Sequence, residues 1–591
     1  MCGIAGEIRF DGSQADVGAV AAMTECLAPR GPDGNGVVAR GRVAFGHRRL
    51  KIIDLSENAA QPMVDADLGL TIVFNGCIYN HPELRAELEG YGYRFFSTGD
   101  TEVILKAFHK WGEDCVSHFH GMFAFAIHER DSGAVTMARD RFGIKPLYLS
   151  EQGQRLRFAS TLPSILAAGD VNTNIDRAAL HNYMSFHAVV PPPRTILEGV
   201  RKLPPATIRR YEADGSTRER KYWQPPYERR AEDANLSNED WAERVLESLR
   251  VAVRRRMVAD VPVGVLLSGG VDSSLIVGLL AEEGQHDLKT FSIGFEEAHG
   301  EKGDEFVYSD LIAKRFETDH TKIFVPAEEI MTHLPDAIRA QSEPMVSYDN
   351  IGFFLLSREV SKHIKVVQSG QGADEVFGGY HWYPPLLSSD DVVSDYSRVF
   401  FDRTHEKLAQ QLSPQWMANE DASLELVREH LMRPNAATPV DRALRLDSEV
   451  MLVDDPVKRV DNMTMAWGLE ARVPFLDHEL VELAATIPPE VKLHSDGKGV
   501  LKDAARHVIP HEVIDRTKGY FPVPQLKYIQ GEFLDTVRDV LTTQKARERG
   551  LFRPEWLDQL FAAPTEHITP LRGSELWQAA LMEMWLQTHD I

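Results

Sequence analysis

The second residue of the chain is a cysteine whose position could make it a nucleophile. Removal of Met1 would leave Cys2 as the mature terminus, with a thiol and a free α-amine on one residue. Because the pKa of an α-amine is about 7.7–8.0, much of it is unprotonated near neutrality. Such an amine can act as general base for the adjacent thiol. Taken alone, a cysteine here is more often a small buried residue, so the interpretation depends on the rest of the chain.

Three nearby positions carry groups that a thiol attacking an amide would need. This chemistry requires donors for an oxyanion and partners for the charged ends of the substrate. Arg49 offers a guanidinium for a carboxylate, and Asp100 offers a carboxylate for an ammonium group. Asn75 and Gly76 follow the apolar stretch 70–74, and an amide and a backbone N–H at a strand end can form an oxyanion hole. Each alone has a simpler explanation, as a surface charge or a hairpin turn.

A second group of candidate residues follows the apolar stretch 261–267. The sequence SGGVDSS occupies residues 268–274 and leads into a helix-like stretch. A strand, a glycine loop and a helix in succession present backbone N–H groups and the positive helix end to an anion, which predicts a phosphate site. The loop has neither the Gly-Lys-Ser/Thr of a Walker A motif nor the spacing of a dinucleotide loop. Asp272 is placed to bind Mg²⁺ beside a phosphate.

A similar arrangement recurs further along the chain. The apolar stretch 364–368 leads into SGQGADEVFGGY at residues 369–380. Asp374 in this loop is a candidate for a second Mg²⁺ ligand.

The elements that must position these groups differ between the two ends of the chain. The first third is β-rich, with predicted strands at 70–74, 122–127 and 134–138 and helices at 16–27 and 82–88. Polar, Pro-bearing residues 225–240 predict a linker between domains of residues 1–224 and 241–591.

Beyond the linker, strands and helices alternate. A predicted helix at 241–257 precedes predicted strands at 261–267, 289–295 and 364–368. This alternation indicates an α/β domain with a largely parallel sheet. Residues 442–591 are predicted to be mostly helical.

Composition narrows the functional classes. A length of 591 residues predicts two or more domains, and 43% hydrophobic with 26% charged residues is typical of soluble globular proteins. The net charge of −23 argues against nucleic acid or anionic lipid as a general partner. No apolar run is long enough to span a bilayer, and no secretory signal is present. Four cysteines without metal-ligand spacing favour a cytoplasmic location: Cys2, Cys26, Cys77 and Cys115.

Motifs over about the first 150 residues resemble the glutaminase domain of class II glutamine amidotransferases. They are MCGIAG, RGPDG, GHRRLKIIDLS, QPM, FNGCIYN, TGDTEVIL, GMFAFAI and RDRFGIKPLY. The resemblance implies an α+β N-terminal-nucleophile domain with two sheets between helix layers. It also implies that Cys2 attacks the side-chain amide of glutamine, releasing ammonia, and that Asn75 and Gly76 stabilise the oxyanion. The implied glutamine-binding residues are Arg49, Leu50, Ile52, Ile53, Asn75, Gly76, Cys77 and Asp100.

The chain from about Val261 to Lys518 resembles the synthetase domain of glutamine-hydrolysing asparagine synthetases, an ATP-pyrophosphatase-type α/β domain with a helical carboxyl-terminal part. The resemblance implies that ATP adenylates a carboxylate, releasing pyrophosphate, and that ammonia then displaces AMP. The implied ATP-binding residues are Leu266, Ser268, Gly270, Asp272, Ser273, Ser274, Ile293, Ser369, Gly370 and Lys502. The residues predicted to hold Mg²⁺ are Asp272 and Asp374. The residues predicted to contact the acceptor and its adenylate are Gln371, Asp374 and Glu375.

Two positions depart from the family pattern. Cys77 stands where these proteins have Glu, so one of two carboxylates facing the glutamine ammonium is missing, which predicts weaker glutamine binding unless another acid substitutes. Gln371 also stands where asparagine synthetases have Glu, which puts an aspartate acceptor in doubt. With CIY at 77–79 and HWYPP at 381–385, the chain is most similar to bacterial N-acetylglutaminylglutamine amidotransferases, whose N-acylated dipeptide product is an osmoprotectant.

Two alternatives stay open at this point. One is asparagine synthetase itself, with aspartate as acceptor. The other is an inactive glutaminase-domain sensor. The expected partners are glutamine, ATP and a carboxylate acceptor, with a homodimer as an option and neither nucleic acid nor membrane.

Overall fold

The strands of the protein form three sheets. A computed structural model describes residues 2–285, 287–297, 303–516 and 529–591, and every structural statement below concerns these residues. Met1 and Lys518, named above, lie outside them. The strands are β1 (Cys2–Arg9), β2 (Gly34–Arg40), β3 (Val43–Arg49), β4 (Met63–Asp65), β5 (Leu70–Ile78), β6 (Gly121–Glu129), β7 (Val135–Arg139), β8 (Tyr148–Gln152), β9 (Arg155–Ala159), β10 (Arg201–Lys202), β11 (Thr207–Tyr211), β12 (Thr217–Lys221), β13 (Val263–Leu266), β14 (Lys289–Phe295), β15 (Asp319–Val325), β16 (Val366–Gln368) and β17 (Glu470–Arg472).

Helices cover these sheets and make up most of the carboxyl-terminal part. They are α1 (Val17–Cys26), α2 (His81–Gly90), α3 (Asp100–Trp111), α4 (Leu162–Ala167), α5 (Arg177–Ser185), α6 (Asn238–Arg255), α7 (Val271–Glu282), α8 (Phe306–Arg315), α9 (Ala327–Ala340), α10 (Asp349–Val360), α11 (Ala373–Phe377), α12 (Val392–Phe400), α13 (His405–Ala409), α14 (Ala422–Met432), α15 (Pro439–Leu446), α16 (Lys458–Met465), α17 (His478–Thr486), α18 (Pro489–Leu493), α19 (Gly499–Ala505), α20 (His511–Ile514), α21 (Glu532–Thr542), α22 (Gln544–Arg549), α23 (Pro554–Ala562) and α24 (Glu575–Thr588). Among the described residues, none of these helices combines the length and apolar character needed to cross a bilayer.

The amino-terminal part is the expected sandwich of two antiparallel sheets between helices. One sheet has the order β10-β8-β9-β1-β3-β2, and the other has the order β12-β11-β7-β6-β5-β4. Helices α1 and α4 pack on the first sheet, and α3 packs on the second. Apolar side chains from both sheets, among them Ile4, Phe45, Val73 and Ala124, form a shared core.

Alternation along β5 decides which of its side chains enter this sandwich. Successive side chains of a strand point to opposite faces. Ile72 and Phe74 belong to the cluster that includes residues of α2 and α3, whereas Val73 belongs to the core between the sheets. The same alternation places Asn75 and Cys77 on the face of Val73, towards the sheet that carries β1.

The carboxyl-terminal part contains the predicted parallel sheet. Its order is β15-β14-β13-β16-β17, and every neighbouring pair is parallel. The described residues of 442–591 are mostly helical, as predicted, and Glu470–Arg472 adds the edge strand β17. This three-residue strand lacks the length that would reveal it in the sequence.

The predicted linker is tied to the carboxyl-terminal part rather than extended. Tyr227 is buried and its hydroxyl lies 3.5 Å from Ser448 Oγ. Ser237 and Asp240 form a capping box at the start of α6, which therefore begins a little earlier than predicted.

Buried ion pairs join the two parts of the chain. Asp461 of α16 binds Arg30 at 2.8 Å and Lys145 at 3.0 Å, and all three side chains are almost fully buried. Removing one partner of such a pair would leave an uncompensated buried charge, which is strongly unfavourable. We infer that the two parts dock in one defined arrangement.

Candidate active site

Cys2 is the first residue of β1 and lies directly opposite Arg49 of β3. The Cys2 backbone N–H donates a 3.0 Å hydrogen bond to Asn75 Oδ1. The Cys2 carbonyl accepts a 3.3 Å hydrogen bond from Arg30 Nε, and the same Arg30 binds Asp461. The backbone of the predicted nucleophile is therefore fixed on both sides, once by the second sheet and once through the other part of the chain.

The environment of Cys2 keeps its thiol protonated. Burial raises the pKa of the Cys2 thiol, and the hydrogen bond from the Leu50 backbone and the positive charge of Arg49 offset this only in part. A thiol of this kind needs a base to become a nucleophile. The nitrogen of Cys2, held by Asn75, is the atom that becomes the α-amine once Met1 is removed.

Asn75 also carries an unused donor. Its side chain is fully buried, and Nδ2 has no hydrogen-bond partner among the described residues. Leaving a buried donor unpaired costs about 1–3 kcal/mol. Such a donor suits a negative charge that appears only during a reaction. At the next residue, a Cβ on Gly76 would lie 2.1 Å from the Met122 carbonyl oxygen, so only glycine fits beside this amide.

One cavity gathers most of the residues predicted to bind glutamine. It is lined by Cys2, Arg49, Leu50, Ile52, Ile53, Gly76, Cys77 and Asp100, together with Ala59, Gln61, Phe74, Thr101 and Glu470. Arg49 Nη1 donates to the Ser56 carbonyl at 2.7 Å, and its Nη2 donates to the Asp54 carbonyl. Asp100 begins α3, and its Oδ2 accepts a 3.0 Å hydrogen bond from the Ile78 backbone. A cation and a carboxylate are thus held at the cavity wall beside the thiol.

Glu470 is a lining residue that sequence reasoning missed. It belongs to β17, in the other part of the chain, and no short motif around it signals a role in this cavity. Only the packing of β17 against the amino-terminal sandwich brings it there.

The predicted phosphate loop follows β13 and ends at α7. The Gly270 N–H donates to Ser268 Oγ at 3.3 Å, and the Ser268 N–H donates to Ser273 Oγ at 3.2 Å. The loop needs glycine at residue 269, where φ is +78° and a Cβ would lie 2.8 Å from the Ser309 nitrogen. Ser274 Oγ is buried without a hydrogen-bond partner among the described residues. The arrangement presents hydroxyls and a helix N-terminus to an anion, as expected.

The second glycine loop lies against the first. A Cβ on Gly370 would be 2.9 Å from Asp272 Cβ and 3.1 Å from the Ser273 nitrogen, so the two loops touch. Ser369 is buried, while Gly370 and Gln371 are half-buried. Both loops follow neighbouring parallel strands, and the carboxyl ends of such strands are where ligands bind in α/β sheets.

The predicted adenosine-contacting residues lie at this same edge of the sheet. Leu266 ends β13, and its register partner in β14 is Phe291. Ile293 lies two residues beyond that partner, past the end of β13. Their backbone is therefore close to the first glycine loop.

The two predicted magnesium ligands converge on a lysine. Lys498 Nζ lies 2.7 Å from Asp272 Oδ2 and 2.8 Å from Asp374 Oδ1. Two carboxylates that share one ammonium group are close enough to share a divalent cation, and carboxylate oxygens are the ligands that Mg²⁺ prefers. The donor set therefore fits Mg²⁺. Lys498 was not among the residues predicted from the sequence. The predicted Lys502 lies one turn further along and donates to the Ser495 carbonyl, and its role at the ATP site stays a prediction.

Glu375 has an environment unlike that of its neighbour Asp374. It is buried, and its Oε1 accepts a 2.7 Å hydrogen bond from the Tyr380 hydroxyl. Burial and the negative charge of Asp374 raise the pKa of Glu375 to about 7. The predicted acceptor region thus contains a carboxyl group that can hold or release a proton near neutral pH.

Arg459 supplies a positive charge near this group. Its Nη1 lies 2.6 Å from Ser347 Oγ and 3.3 Å from Asp455 Oδ1. The negative charge of Glu375 is among the interactions that raise the pKa of Arg459, although burial alone would lower it. The Arg459 guanidinium is thus paired with Asp455 and Asp349 and lies within electrostatic range of Glu375.

Two family patterns match the chain. Residues 1–223 match the family described as glutamine amidotransferase domain, and residues 244–587 match the family described as asparagine synthase. Together they cover both of the sites described above.

Full-length relatives carry both parts. The chain is 32% identical to asparagine synthetase [glutamine-hydrolyzing] 3 of Bacillus subtilis, over 95% of this chain and 96% of that protein. It is also 32% identical to a putative asparagine synthetase of Mycobacterium tuberculosis, over 99% of this chain and 97% of that protein. A solved glutamine phosphoribosylpyrophosphate amidotransferase from Bacillus subtilis matches 55% of this chain and 91% of its own at 14% identity and a TM-score of 0.30, too low to add to the assignment.

Proposed function

Because the chain belongs to the family of glutamine-hydrolysing asparagine synthetases, we propose that it releases ammonia from glutamine at Cys2. The ammonia then reacts with a carboxylate that is activated at the two glycine loops. Enzymes of this family are ATP-dependent ligases, and this chain is an enzyme of that type. The observation that carries the proposal is the buried Asn75, whose Oδ1 holds the Cys2 nitrogen while its Nδ2 stays unpaired.

In the first half-reaction, the α-amine of the mature Cys2 takes the proton of the thiol. The thiolate attacks the amide carbon of glutamine, and the oxyanion that forms accepts a hydrogen bond from Asn75 Nδ2 and, we propose, from the Gly76 backbone. The amine then returns its proton to the leaving nitrogen, which departs as ammonia and leaves a thioester. Water hydrolyses the thioester to glutamate. Arg49 binds the glutamine carboxylate and Asp100 binds its ammonium group.

In the second half-reaction, an acceptor carboxylate attacks the α-phosphorus of ATP and pyrophosphate leaves. Ser268, Gly270, Ser273 and Ser274 present donors to the phosphates. Asp272 and Asp374 would hold Mg²⁺, which supplies charge neutralisation for the departing pyrophosphate. Ammonia then attacks the acyl carbon, AMP leaves with the electrons of the broken acyl–oxygen bond, and the attacking nitrogen loses one proton to the departing phosphate or to water.

The acceptor we propose is N-acetylglutaminylglutamine, with an amide of osmoprotectant type as the product and the cytoplasm as its location. The neutral Gln371 supports this choice, because an N-acylated dipeptide has no α-ammonium for an acidic side chain to bind. Arg459, beside Ser347, is the cation we propose for the acceptor's carboxylate, which would compete with Asp455 for it.

Aspartate is the second candidate acceptor. Its support is the similarity to the asparagine synthetases of Bacillus subtilis, which match nearly the whole chain. In both cases the reaction yields AMP and pyrophosphate, so only the acceptor distinguishes the two.

Pyrophosphate exchange tests the proposal. ATP–pyrophosphate exchange should depend on N-acetylglutaminylglutamine, and mass analysis should find its amide when glutamine is the nitrogen donor. The Cys2→Ala variant should lose synthesis with glutamine and retain synthesis with ammonium chloride. If ATP–pyrophosphate exchange depends on aspartate alone, the acceptor is aspartate and not N-acetylglutaminylglutamine. Glutamine-dependent synthesis by Cys2→Ala would refute the mechanism.

A further inference from the structure

Strand β17 presents two charged side chains on one face. Glu470 and Arg472 are separated by one residue, so they point the same way, and Ala471 points to the opposite face. Both charged residues are almost fully buried, and Arg472 Nε donates to Glu470 Oε1 at 2.6 Å. Burying two charged groups at a sheet edge is unfavourable because both lose their hydration, so we ask what these side chains contact.

The face of β17 that carries Glu470 and Arg472 packs against the amino-terminal sandwich. Arg472 Nη2 lies 3.7 Å from the Sγ atom of Cys77, and Glu470 lines the cavity that contains Cys2, Arg49 and Asp100. Every other described residue of that lining comes from the first 101 positions. The cavity is thus completed by one carboxylate from the other part of the chain.

The charges of the cavity are arranged for a zwitterion. Arg49 offers a positive group, and Asp100 and Glu470 offer two carboxylates. The charge of Glu470 contributes to raising the pKa of Asp100, behind the larger effect of burial, so the two carboxylates lie within electrostatic range. Burial opposes ionisation of Glu470 itself, yet the positive charges of the amino terminus, Arg472 and Lys145 lower its pKa to about 2.

We propose that Glu470 is the second carboxylate that binds the α-ammonium group of glutamine, in place of the acid that Cys77 does not provide. The inference rests on the proposed glutaminase function of Cys2. Arg472 holds Glu470 in position and packs on Cys77. Glutamine binding then requires the synthetase part of the chain, since that part supplies half of the ammonium site.

Comparing glutamine with glutaramate tests whether Glu470 binds the α-ammonium group. Glutaramate, which is glutamine without its α-amine, keeps the amide and the carboxylate but has no ammonium group for Glu470 to bind. In Glu470→Gln, the KM for glutamine should rise about ten- to a hundredfold, the range expected for losing one charged hydrogen bond. The KM for glutaramate should change less than twofold, and kcat for both substrates should stay within a few-fold. Ammonia-dependent synthesis should be unaffected.

Glu482→Gln is the matched control. The Oε1 atom of Glu482 accepts a 2.7 Å hydrogen bond from Trp223 Nε1, so it is also a carboxylate that joins the two parts of the chain, but it lies outside the cavity. Its substitution should leave both KM values unchanged.

The Cys77→Glu/Glu470→Gln double variant provides a second test in case the Glu470→Gln variant is unstable. A carboxylate at residue 77 lies beside Arg472, so the double variant should recover most of the lost affinity for glutamine, while its KM for glutaramate stays within twofold of the wild type. An unchanged glutamine KM in Glu470→Gln, or an equal rise for both substrates, would overturn the proposal. So would a changed ratio of amide to glutamate with no change in KM, which would assign Glu470 to the ammonia passage. Absence of glutaminase activity in the wild type would instead refute the proposed function.

Discussion

The backbone N–H of Ser369 donates a 2.8 Å hydrogen bond to the carbonyl of Arg472. Ser369 begins the second glycine loop, and two residues before Arg472 lies Glu470, which lines the cavity of Cys2. The three-residue strand β17 therefore contacts both sites. The strand is thus a physical contact between the two candidate sites.

The first prediction concerns the stability of this connection. Arg472→Met should lower the free energy of unfolding by about 3–5 kcal/mol, because it deprives a buried carboxylate of its ion-pair partner. Arg398→Met is the control, since its pair with Asp395 is largely exposed and exposed pairs contribute about 0–1 kcal/mol. Urea denaturation of both variants measures the difference. Adding Glu470→Gln to Arg472→Met should restore part of the loss, and equal stability of the two single variants would contradict the assignment.

The second prediction concerns the oxyanion. Asn75→Ala should lower kcat for glutamine hydrolysis by about 10²–10³, the effect of removing one oxyanion donor. Asn75→Asp is the sharper variant, because it keeps an oxygen that can accept from the Cys2 nitrogen but replaces the Nδ2 donor with a negative charge. It should be at least as inactive, while ammonia-dependent synthesis persists in both. Near-normal glutamine hydrolysis by Asn75→Asp would show that Nδ2 has no part in catalysis.

The third prediction separates two lysines. Lys498→Met should reduce ATP–pyrophosphate exchange by about 10²-fold or more, because it removes the ammonium group that pairs with both Asp272 and Asp374 and so positions the two predicted Mg²⁺ ligands. Lys502→Met, one turn away, should have a smaller effect. Glutamine hydrolysis at Cys2 serves as the internal control in each variant. A larger loss for Lys502→Met than for Lys498→Met would contradict this prediction and support Lys502, the lysine predicted from the sequence.

Local sequence patterns predicted strands and helices well where the apolar stretch and the paired part of the strand have the same bounds. The predicted strand at 289–295 coincides with β14, and the glycine loops occur where strands meet helices. The predicted end of a strand at Phe74 was wrong. Because β6 pairs with β5 as far as Ile78, Asn75 and Gly76 lie inside the strand rather than beyond it. Alternation, not a turn, directs Asn75 to Cys2.

Residues that act across the fold could not be predicted in this way. Lys498 and Asp272 are 226 positions apart, and Arg472 and Cys77 are 395 apart. Nothing in the local sequence of β17 distinguishes a buried charge pair from an exposed one. Only the docking of the two parts of the chain shows that Glu470 belongs to the cavity.

The last prediction concerns the pH dependence of stability at Glu375. Burial and the charge of Asp374 raise the pKa of this carboxyl from its ordinary 4.5 to about 7. Below pH 4.5 the group is protonated in both states, and its contribution to stability is fully present. Between pH 4.5 and 7 only the unfolded chain loses the proton, so the free energy of unfolding falls as pH rises, by up to about 3 kcal/mol, and levels off above pH 7.

Glu375→Gln should remove this dependence, because the amide does not ionise and its Oε1 can still accept from the Tyr380 hydroxyl. Urea denaturation without nucleotide or Mg²⁺ at pH 5, 6, 7 and 8 provides the measurement. The stability advantage of the variant over the wild type should grow up to pH 7 and then stay constant. The exposed Glu555→Gln is the control and should follow the wild type at every pH. A constant difference between Glu375→Gln and the wild type from pH 5 to 8 would mean that Glu375 does not hold its proton near neutrality.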